Sequence, residues 1–280
     1  MILVVGAKGM LGQDLMALLG EKARGVDVGE MDITSPASVQ RVLSALKPRV
    51  VINCAAYTDV DGCETNRETA ILVNADGVVN LATATAELGA KLVHVSTDYV
   101  FNGSKGTPYV EDDKTNPLSV YGETKLAGEL GAKINPDHLI VRTQWLYGIH
   151  GKNFVETMLS LGKKRDELSV VNDQVGSPTW TVDLAKAILA LLEHGCNGTY
   201  HAANAGYCSW NDFARAIFAE SDMQVVVHAM STEELNRPAR RPLYSTLDCG
   251  KLLRDTGLCP QGWREALHAY LQLKKSKETV

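Results

Sequence analysis

The chain has 280 residues, of which 45% are hydrophobic and 22% are charged, and its formal net charge is −5. These values are typical of a globular protein of one large or two modest domains, and the scattered lysines and arginines argue against a nucleic-acid-binding face. No apolar run reaches the ~20 residues of a membrane span and the first residues do not form a signal peptide, so we expect no membrane partner and a cytoplasmic location.

Short apolar runs alternate with helical patterns in the first half of the chain. Residues 1–5, 50–53, 91–96 and 138–142 are predicted to be buried parallel strands, with a weaker strand over 25–28. Apolar residues at helical spacing predict helices over 10–19, 36–46, 70–88 and 120–130. This alternation predicts an α/β fold built on a doubly wound, Rossmann-type parallel sheet.

The alternation of predicted strands and helices becomes less regular after about residue 150. Helices are predicted over 154–162, 182–192, 211–221 and 263–273, and short strands over 168–171, 199–202 and 225–228. We expect residues 151–280 to form mainly a smaller, mixed lobe, with segments around 172–200 returning to the domain formed by residues 1–150.

Three glycines separate the first predicted strand from the first helix in a G-x-x-G-x-x-G arrangement. A turn without side chains lets backbone N–H groups and the positive end of the helix approach a pyrophosphate. Such glycines also occur in ordinary strand-to-helix loops, but their position after an N-terminal strand favours a dinucleotide-binding domain over residues 1–150. The residues predicted to bind the cofactor here are Gly6, Lys8, Gly9, Met10, Leu11 and Gly12.

Acidic residues follow the second predicted strand. Asp27 is the candidate for binding the adenosine ribose, with a solvated loop carboxylate as the alternative. Asp32 and Ile33 could present a carboxylate and an apolar wall to the adenine. Arg24 and Lys8 are close enough in sequence to meet a 2′-phosphate, so both NADH and NADPH remain open as cofactors.

Tyr121 and Lys125 are four residues apart and therefore share one face of a predicted helix. A phenol and an ammonium so placed suit acid–base work on a carbonyl, and the alternative is an accidental surface pair. Because a free tyrosine has a pKa near ~10, activity at neutral pH calls for a pKa about three units lower. We expect the Lys125 ammonium and the charge of an oxidised nicotinamide to lower it.

The fourth predicted strand ends in Ser96 and Thr97, at the edge of the sheet where doubly wound folds bind their ligands. Thr97 is therefore predicted to donate a hydrogen bond to the substrate oxygen beside Tyr121, although such a pair can also be a helix cap. The glycine turn, the strand-end Thr97 and the Tyr121–Lys125 pair are much less expected by accident in this order than any one of them alone.

Together these motifs resemble those of the extended short-chain dehydrogenase/reductases and, within them, the dTDP-4-dehydrorhamnose reductase family. The resemblance covers essentially the whole chain. Beyond the glycine turn, it is carried by N-C-A-A-Y-T at 53–58, V-N-A at 73–75, S-T-D-Y-V-F at 96–101, Y-G-E-T-K at 121–125, R-T-Q-W-L-Y at 142–147, N-D-Q-V-G-S-P-T at 172–179 and R-P at 241–242.

The resemblance implies reduction of the 4-keto group of dTDP-6-deoxy-L-lyxo-4-hexulose to dTDP-L-rhamnose. It implies that Tyr121 donates the proton, that Lys125 holds the nicotinamide ribose, and that Thr97 orients the keto oxygen. It assigns Ala55, Ala56 and Tyr57 to the cofactor, Asp98, Tyr99 and Trp145 to the sugar, and Asn153, Gln174 and Arg241 to the nucleotide diphosphate. Strand-end packing and ordinary loop polarity are the alternatives for these groups.

Some features leave part of the site open. Gln144 stands where a serine often precedes the tryptophan, and the basic stretch 237–241 could serve a phosphate-bearing ligand. Some family members bind magnesium, but no acidic cluster here supports such a site, so the metal is unknown. The six cysteines lack metal-site or disulfide spacing and are expected to be free thiols. A homodimer is compatible with the sequence, which does not fix the oligomeric state.

Three other functions occur on related folds. Sugar-nucleotide 4,6-dehydratases typically carry an Asp-Glu pair after the threonine, whereas Tyr99 follows Asp98 here, which disfavours elimination. A sugar-nucleotide epimerase stays open, as does a non-catalytic dinucleotide-binding subunit resembling the regulatory subunit of methionine adenosyltransferase, because a fold does not by itself establish a function.

Overall fold

A computed structural model describes residues 1–278 of the chain. Within them the strands are β1 (Ile2–Val5), β2 (Ala23–Val26), β3 (Val50–Asn53), β4 (Lys91–Thr97), β5 (His138–Thr143), β6 (Leu146–Tyr147), β7 (Glu167–Val171), β8 (Val175–Gly176), β9 (Thr179–Trp180), β10 (Gly198–His201), β11 (Cys208–Ser209) and β12 (Val226–Met230). The α-helices are α1 (Met10–Leu19), α2 (Pro36–Leu46), α3 (Val60–Thr65), α4 (Arg67–Ile71), α5 (Gly77–Leu88), α6 (Val120–Ala132), α7 (Phe154–Gly162), α8 (Thr181–Glu193), α9 (Trp210–Glu220), α10 (Thr232–Leu235), α11 (Gly250–Thr256) and α12 (Trp263–Glu278).

A six-stranded parallel sheet in the order β2-β1-β3-β4-β5-β10 forms the centre of the molecule. The chain runs outward from β1 to β2 and then returns to β3 on the other side of β1. The sheet therefore has its topological switch point between β1 and β3, where doubly wound folds bind their ligands. The predicted fold class, a doubly wound parallel sheet, is confirmed.

Helices cover both faces of the sheet. On one face α1 and α8 pack over a core that includes Val4, Leu15 and Ile188. On the other face α2, α5 and α6 pack over a core that includes Leu3 and Leu81. Both layers exclude water from the strands, which explains why the central strands are apolar at almost every position.

Three sequence predictions need correction. The second strand spans Ala23–Val26 rather than 25–28, so Asp27 directly follows its last residue. The helix predicted over 70–88 is interrupted by a π-helical turn at Leu72–Asp76. The prediction missed this turn because apolar spacing does not reveal one extra residue in a helical turn. The short helix α3 was missed, since six residues are too few to show a helical period.

The second half of the chain builds a separate core from aromatic side chains. The strand pairs β6–β9, β7–β12 and β8–β11 frame it, and α7, α9 and α12 close it. Its largest members include Tyr147, Phe213, Trp263 and Tyr270. Since β10 joins the main sheet and α8 packs on α1, both halves of the chain contribute to the core between the sheet and these two helices. The domain boundary near residue 150 stays a prediction. None of the helices in residues 1–278 is long and apolar enough to cross a membrane.

Candidate active site

The glycine turn lies between β1 and α1, at the switch point of the sheet. Gly6 has a left-handed φ of 75°, and the N–H groups of Gly6 and Ala7 donate to the Val26 carbonyl oxygen at 3.0 and 3.2 Å. A Cβ on Gly12 would lie 2.2 Å from the Gly6 carbonyl oxygen, so the turn requires glycine there. Gly9 is the N-cap of α1 and adds no side-chain cap. The first N–H groups of α1 therefore remain available to bind an anion. The glycine turn and this end of α1 together form a cradle that fits a pyrophosphate.

A cleft of about 270 Å³ opens beside this turn. Asp27 accepts hydrogen bonds from the backbone N–H groups of Lys8 at 3.0 Å and Val28 at 2.9 Å, and its carboxylate keeps further acceptor capacity for a ribose hydroxyl. Ile33 forms part of the apolar wall and is 5% exposed. The residues predicted to bind the cofactor that line this cleft are Gly6, Gly9, Asp27, Asp32, Ile33, Ala55 and Ala56.

Four other residues assigned to the cofactor lie around this cleft rather than on its wall. Lys8 contributes its backbone N–H to Asp27, and Leu11 is buried in the core. Met10 lies beside Asn153, whose Nδ2 is 3.8 Å from the Met10 sulfur. The Tyr57 N–H donates to Oδ1 of Asn74 at 2.8 Å, and Asn74 Nδ2 donates back to the Tyr57 carbonyl at 3.0 Å. The π-helical turn that carries Asn74 therefore fixes the segment after β3.

The three side chains predicted to act on a carbonyl come together where β4 ends beside α6. The Thr97 hydroxyl donates to Oδ1 of Asp98 at 2.9 Å and lies close to the Tyr121 phenol, whose pKa it acts to lower. One turn further along α6, Nζ of Lys125 donates to the Val95 carbonyl oxygen at 2.7 Å, and the Lys125 residue is 3% exposed. A phenol, a hydroxyl and an ammonium thus meet at the carboxyl edge of the sheet.

The acidity of the phenol differs from the sequence-based expectation. Burial raises the pKa of Tyr121 above its ordinary 10.0 and outweighs the hydrogen bond to Thr97, and the neighbouring Asp98 and Tyr99 raise it further. The expected lowering of the Tyr121 pKa is therefore wrong for the protein's own groups, because burial outweighs the interactions that act to lower it. Tyr121 remains protonated at neutral pH, which is the form that donates a proton.

Burial also acts on Lys125 and lowers its pKa from 10.5 to about 8, although the negative charge of Glu129 acts against this change. Near pH 7 the side chain is still mostly the ammonium. It therefore brings a positive charge and hydrogen-bond donors into a site from which water is largely excluded.

Asp98 is 1% exposed, and burial raises the pKa of its carboxyl group from 3.8 to about 6 despite the hydrogen bond from Thr97. Because the folded state holds this proton more tightly than the unfolded state, its ionisation removes stability as the pH rises from about 4 to about 6. We expect the free energy of unfolding of Asp98→Asn, taken relative to that of the wild type, to rise between pH 4 and the range above pH 6. The expected rise is about 2–3 kcal/mol. Urea unfolding of both proteins across this range measures the effect; a difference independent of pH would contradict it.

A buried ion pair lies beneath the three side chains. Nε and Nη2 of Arg142 on β5 donate to the two carboxylate oxygens of Glu129 on α6, both at 2.8 Å. The Ser96 hydroxyl donates to the same carboxylate at 2.6 Å. Arg142 and Glu129 are only 5% and 2% exposed, so the pair fixes α6, with Tyr121 and Lys125, against the sheet. The sequence analysis did not identify it.

Tyr99 packs against the phenol and links it to a second ion pair. The Tyr99 and Tyr121 rings meet edge to face with centroids 5.3 Å apart. The Tyr99 hydroxyl lies close to the Arg241 guanidinium, which forms an ion pair with Asp61 at 3.0 Å. Sequence reasoning missed Asp61, because the pair joins residues 180 positions apart and no local pattern marks it.

Trp145, assigned to the sugar, has a φ of 48°, a conformation that non-glycine residues rarely adopt. Its ring stacks on Trp210 with centroids 3.6 Å apart, and a Cβ on Gly176 would come within 2.6 Å of it. The preceding Gln144 is 2% exposed, and neither of its amide atoms has a hydrogen-bond partner within residues 1–278. This departure from the family pattern thus places an unsatisfied amide beside the tryptophan.

The residues assigned to the diphosphate do not all meet. Gln174 and Arg241 line a cavity of about 560 Å³, together with Arg237 and Arg240 from the basic stretch noted in the sequence. Asn153 lies elsewhere, where it caps α7 by accepting from the Glu156 N–H at 3.1 Å and donates to the Gly148 carbonyl at 2.7 Å. The structure therefore places it next to the start of α1 rather than in the arginine-lined cavity.

No group of three or more histidine, cysteine, aspartate or glutamate side chains within residues 1–278 is arranged to hold a metal ion. The six cysteines are all free thiols, as expected.

Comparison with known proteins identifies the family. The model of the family described as "RmlD substrate binding domain" matches residues 1–276. The chain is similar to the solved dTDP-4-dehydrorhamnose reductase of Clostridium acetobutylicum, with 46% identity, a TM-score of 0.95, and coverage of 98% of this chain and 99% of that one. It is also similar to the dTDP-4-dehydrorhamnose reductase of Bacillus anthracis solved in complex with NADP, with 42% identity, a TM-score of 0.94, and coverage of 96% and 98%.

A third relative is the spore coat polysaccharide biosynthesis protein SpsK of Bacillus subtilis, 42% identical over 279 residues that make up 98% of each chain. Since the family model and these relatives match nearly the whole length, the chain belongs to the dTDP-4-dehydrorhamnose reductase family.

Proposed function

We propose that this chain reduces the 4-keto group of dTDP-6-deoxy-L-lyxo-4-hexulose to give dTDP-L-rhamnose, using NADPH or NADH. The observation that carries the proposal is the meeting of Tyr121, Thr97 and Lys125 at the same edge of the sheet as the glycine turn. The names of similar proteins supply the sugar, and the geometry supplies a proton donor for its carbonyl.

The chemistry of the chain's own groups is proton donation and orientation. A bound reduced nicotinamide supplies a hydride for the keto carbon. Tyr121 then transfers its phenolic proton to the keto oxygen, which becomes the hydroxyl of the product, and the phenolate left on Tyr121 regains a proton from solvent. Thr97 would turn its hydroxyl hydrogen from Asp98 to the keto oxygen and so orient it, and the buried Lys125 ammonium would bind the nicotinamide ribose and stabilise the phenolate.

The cofactor would lie along the switch point of the sheet. We assign the pyrophosphate to the cradle of Gly6, Gly9 and Gly12 and the first turn of α1, which includes Met10 and Leu11. The adenosine would use Asp27, Asp32 and Ile33, and the nicotinamide side would use Ala55, Ala56 and Tyr57. The bound NADP of the Bacillus anthracis relative favours NADPH.

The assignment of the cradle predicts the effect of a single methyl group. Because a Cβ on Gly12 would lie 2.2 Å from the Gly6 carbonyl oxygen, Gly12→Ala must displace the turn. We expect it to raise the Kd for NADPH at least about tenfold, or about 1.4 kcal/mol, as measured by calorimetry. Gly29→Ala is the matched control, since a Cβ there has no heavy atom within 4 Å. Equal affinities of Gly12→Ala and the wild type would refute the cradle.

The substrate would extend from the phenol into the arginine-lined cavity. Tyr99 and Trp145 would flank the sugar and Asp98 would contact it, while Arg237 and Arg240 bring two positive charges to the diphosphate. Gln174 and Arg241 line the same cavity, and Asn153 would act from the α1 side.

The test is to measure oxidation of NADPH and NADH by the purified protein with dTDP-6-deoxy-L-lyxo-4-hexulose, with the product identified by NMR. We expect stoichiometric oxidation and dTDP-L-rhamnose as the product. A protein that binds the dinucleotide but turns over no substrate would refute the reductase and favour a binding subunit; interconversion without net oxidation would favour an epimerase. We further propose a cytoplasmic location and a homodimer, which cell fractionation and light scattering can test.

A further inference from the structure

A bidentate ion pair joins the two halves of the chain near Tyr99, whose ring packs against the proposed proton donor. Nη1 and Nη2 of Arg241 donate to Oδ1 and Oδ2 of Asp61, each at 3.0 Å. The Ala239 N–H donates to the same carboxylate at 3.1 Å, and Nη1 of Arg237 lies 3.6 Å from it. Asp61 lies in the first turn of α3, so this helix holds the segment 237–241 of the second half.

The hydrogen bonds of the guanidinium show what Arg241 can still do. An arginine has five N–H donors. Two are used by Asp61 and one by the Ala239 carbonyl at 2.9 Å, which leaves two. Because Asp61 occupies both terminal nitrogens, Arg241 cannot offer this pair of nitrogens to a diphosphate as a fork unless it leaves Asp61.

The proximity of Arg241 to Tyr99 gives this pair a role in the site. The Tyr99 backbone N–H donates to the Thr97 hydroxyl at 3.2 Å, and its phenol at the other end of the residue lies close to the Arg241 guanidinium. Between these anchors the ring stands edge to face against Tyr121. The position of Tyr99 beside the proton donor therefore depends on Arg241, and the orientation of Arg241 depends on Asp61.

We propose that Asp61 is a positioning residue of the reaction, which holds Arg241 against Tyr99 and so fixes the wall of the sugar site beside Tyr121. The inference rests on the proposed function for its catalytic consequence. Partial burial alone would raise the pKa of Asp61, but the hydrogen bonds from Arg241 and Ala239 and the charges of Arg241 and Arg237 lower it overall. The carboxylate is thus ionised, and the ion pair intact, throughout the neutral range.

The test is a double-mutant cycle between Asp61→Asn and Tyr99→Phe in the full-length protein. Each single variant is expected to lower kcat between about tenfold and a hundredfold, because the wall beside the donor is misplaced, while the KM for NADPH stays within twofold. Since both changes break one connection, the double variant is expected to be no slower than the slower single variant. Glu68→Gln, on the exposed side of α4, removes the same charge and is expected to keep the wild-type kcat.

Two outcomes overturn the inference: kcat losses that multiply in the double variant, or an Asp61→Asn protein that loses only stability. If the wild-type protein shows no turnover, the proposed function is refuted instead. The double-mutant cycle is then measured on the free energy of unfolding in urea. Coupling between the two positions in the free energy of unfolding would support the Asp61–Arg241–Tyr99 connection, and additivity would overturn it.

Discussion

Tyr121→Phe is expected to lower kcat by about 10²–10⁴-fold, the usual contribution of a positioned general acid. The substitution removes only the phenolic oxygen, so the ring can keep its edge-to-face contact with Tyr99, 5.3 Å between centroids. Lys125 and Thr97 keep their hydrogen bonds to the Val95 carbonyl and to Asp98. Steady-state oxidation of NADPH with the dTDP-keto sugar measures the loss, and the KM for NADPH is expected to stay near the wild-type value.

The matched control is Tyr207→Phe, which removes a phenol that is 58% exposed and outside the assigned site. Its kcat is expected to equal that of the wild type. If Tyr121→Phe retained the wild-type kcat under conditions where chemistry limits the rate, the proton would have to come from another group.

Glu129→Gln is expected to have the largest effect on folding, a loss of about 3–5 kcal/mol in the free energy of unfolding. The amide has nearly the shape of the carboxylate but no charge, so it leaves the Arg142 guanidinium buried, 5% exposed, without its counterion. Urea unfolding followed by circular dichroism measures the loss.

The same helix offers a control for the Glu129 experiment. Glu123 forms an ion pair with Arg67 at 2.8 Å, but the two side chains are 47% and 57% exposed. Glu123→Gln is therefore expected to change the free energy of unfolding by less than about 1 kcal/mol. If both variants lost the same stability, the buried pair would not be what anchors α6.

Local patterns in the sequence were sufficient for the fold and for the position of the glycine turn. Parallel strands covered on both faces are apolar throughout, and the order of strands and helices then leaves few possible topologies. The same rules bring the end of β4 to the carboxyl edge of the sheet beside the end of β5, where Thr97 pairs with Thr143 in register. The proximity of Thr97 to Tyr121 was therefore predictable without coordinates.

Other features depend on residues far apart in the chain. The Asp61–Arg241 pair joins residues 180 positions apart, so no local pattern in the sequence indicates it, and the resemblance alone assigned Arg241 to the diphosphate. The pKa of Tyr121 depends on how deeply α6 is buried, whereas the spacing of Tyr121 and Lys125 indicated only a nearby positive charge. Likewise, no local sequence pattern indicates the left-handed conformation of Trp145, whose ring packs against Gly176 and Trp210 from distant parts of the chain.

Isotope transfer tests the central claim most directly. The wild-type protein is incubated with dTDP-6-deoxy-L-lyxo-4-hexulose and NADPH that carries deuterium at the transferable position, and the sugar is examined by NMR and mass spectrometry. We predict that one deuterium appears at the sugar carbon that carried the keto group, with the configuration of dTDP-L-rhamnose. Recovery of unlabelled sugar with the keto group intact, from protein that binds the dinucleotide, would contradict the account.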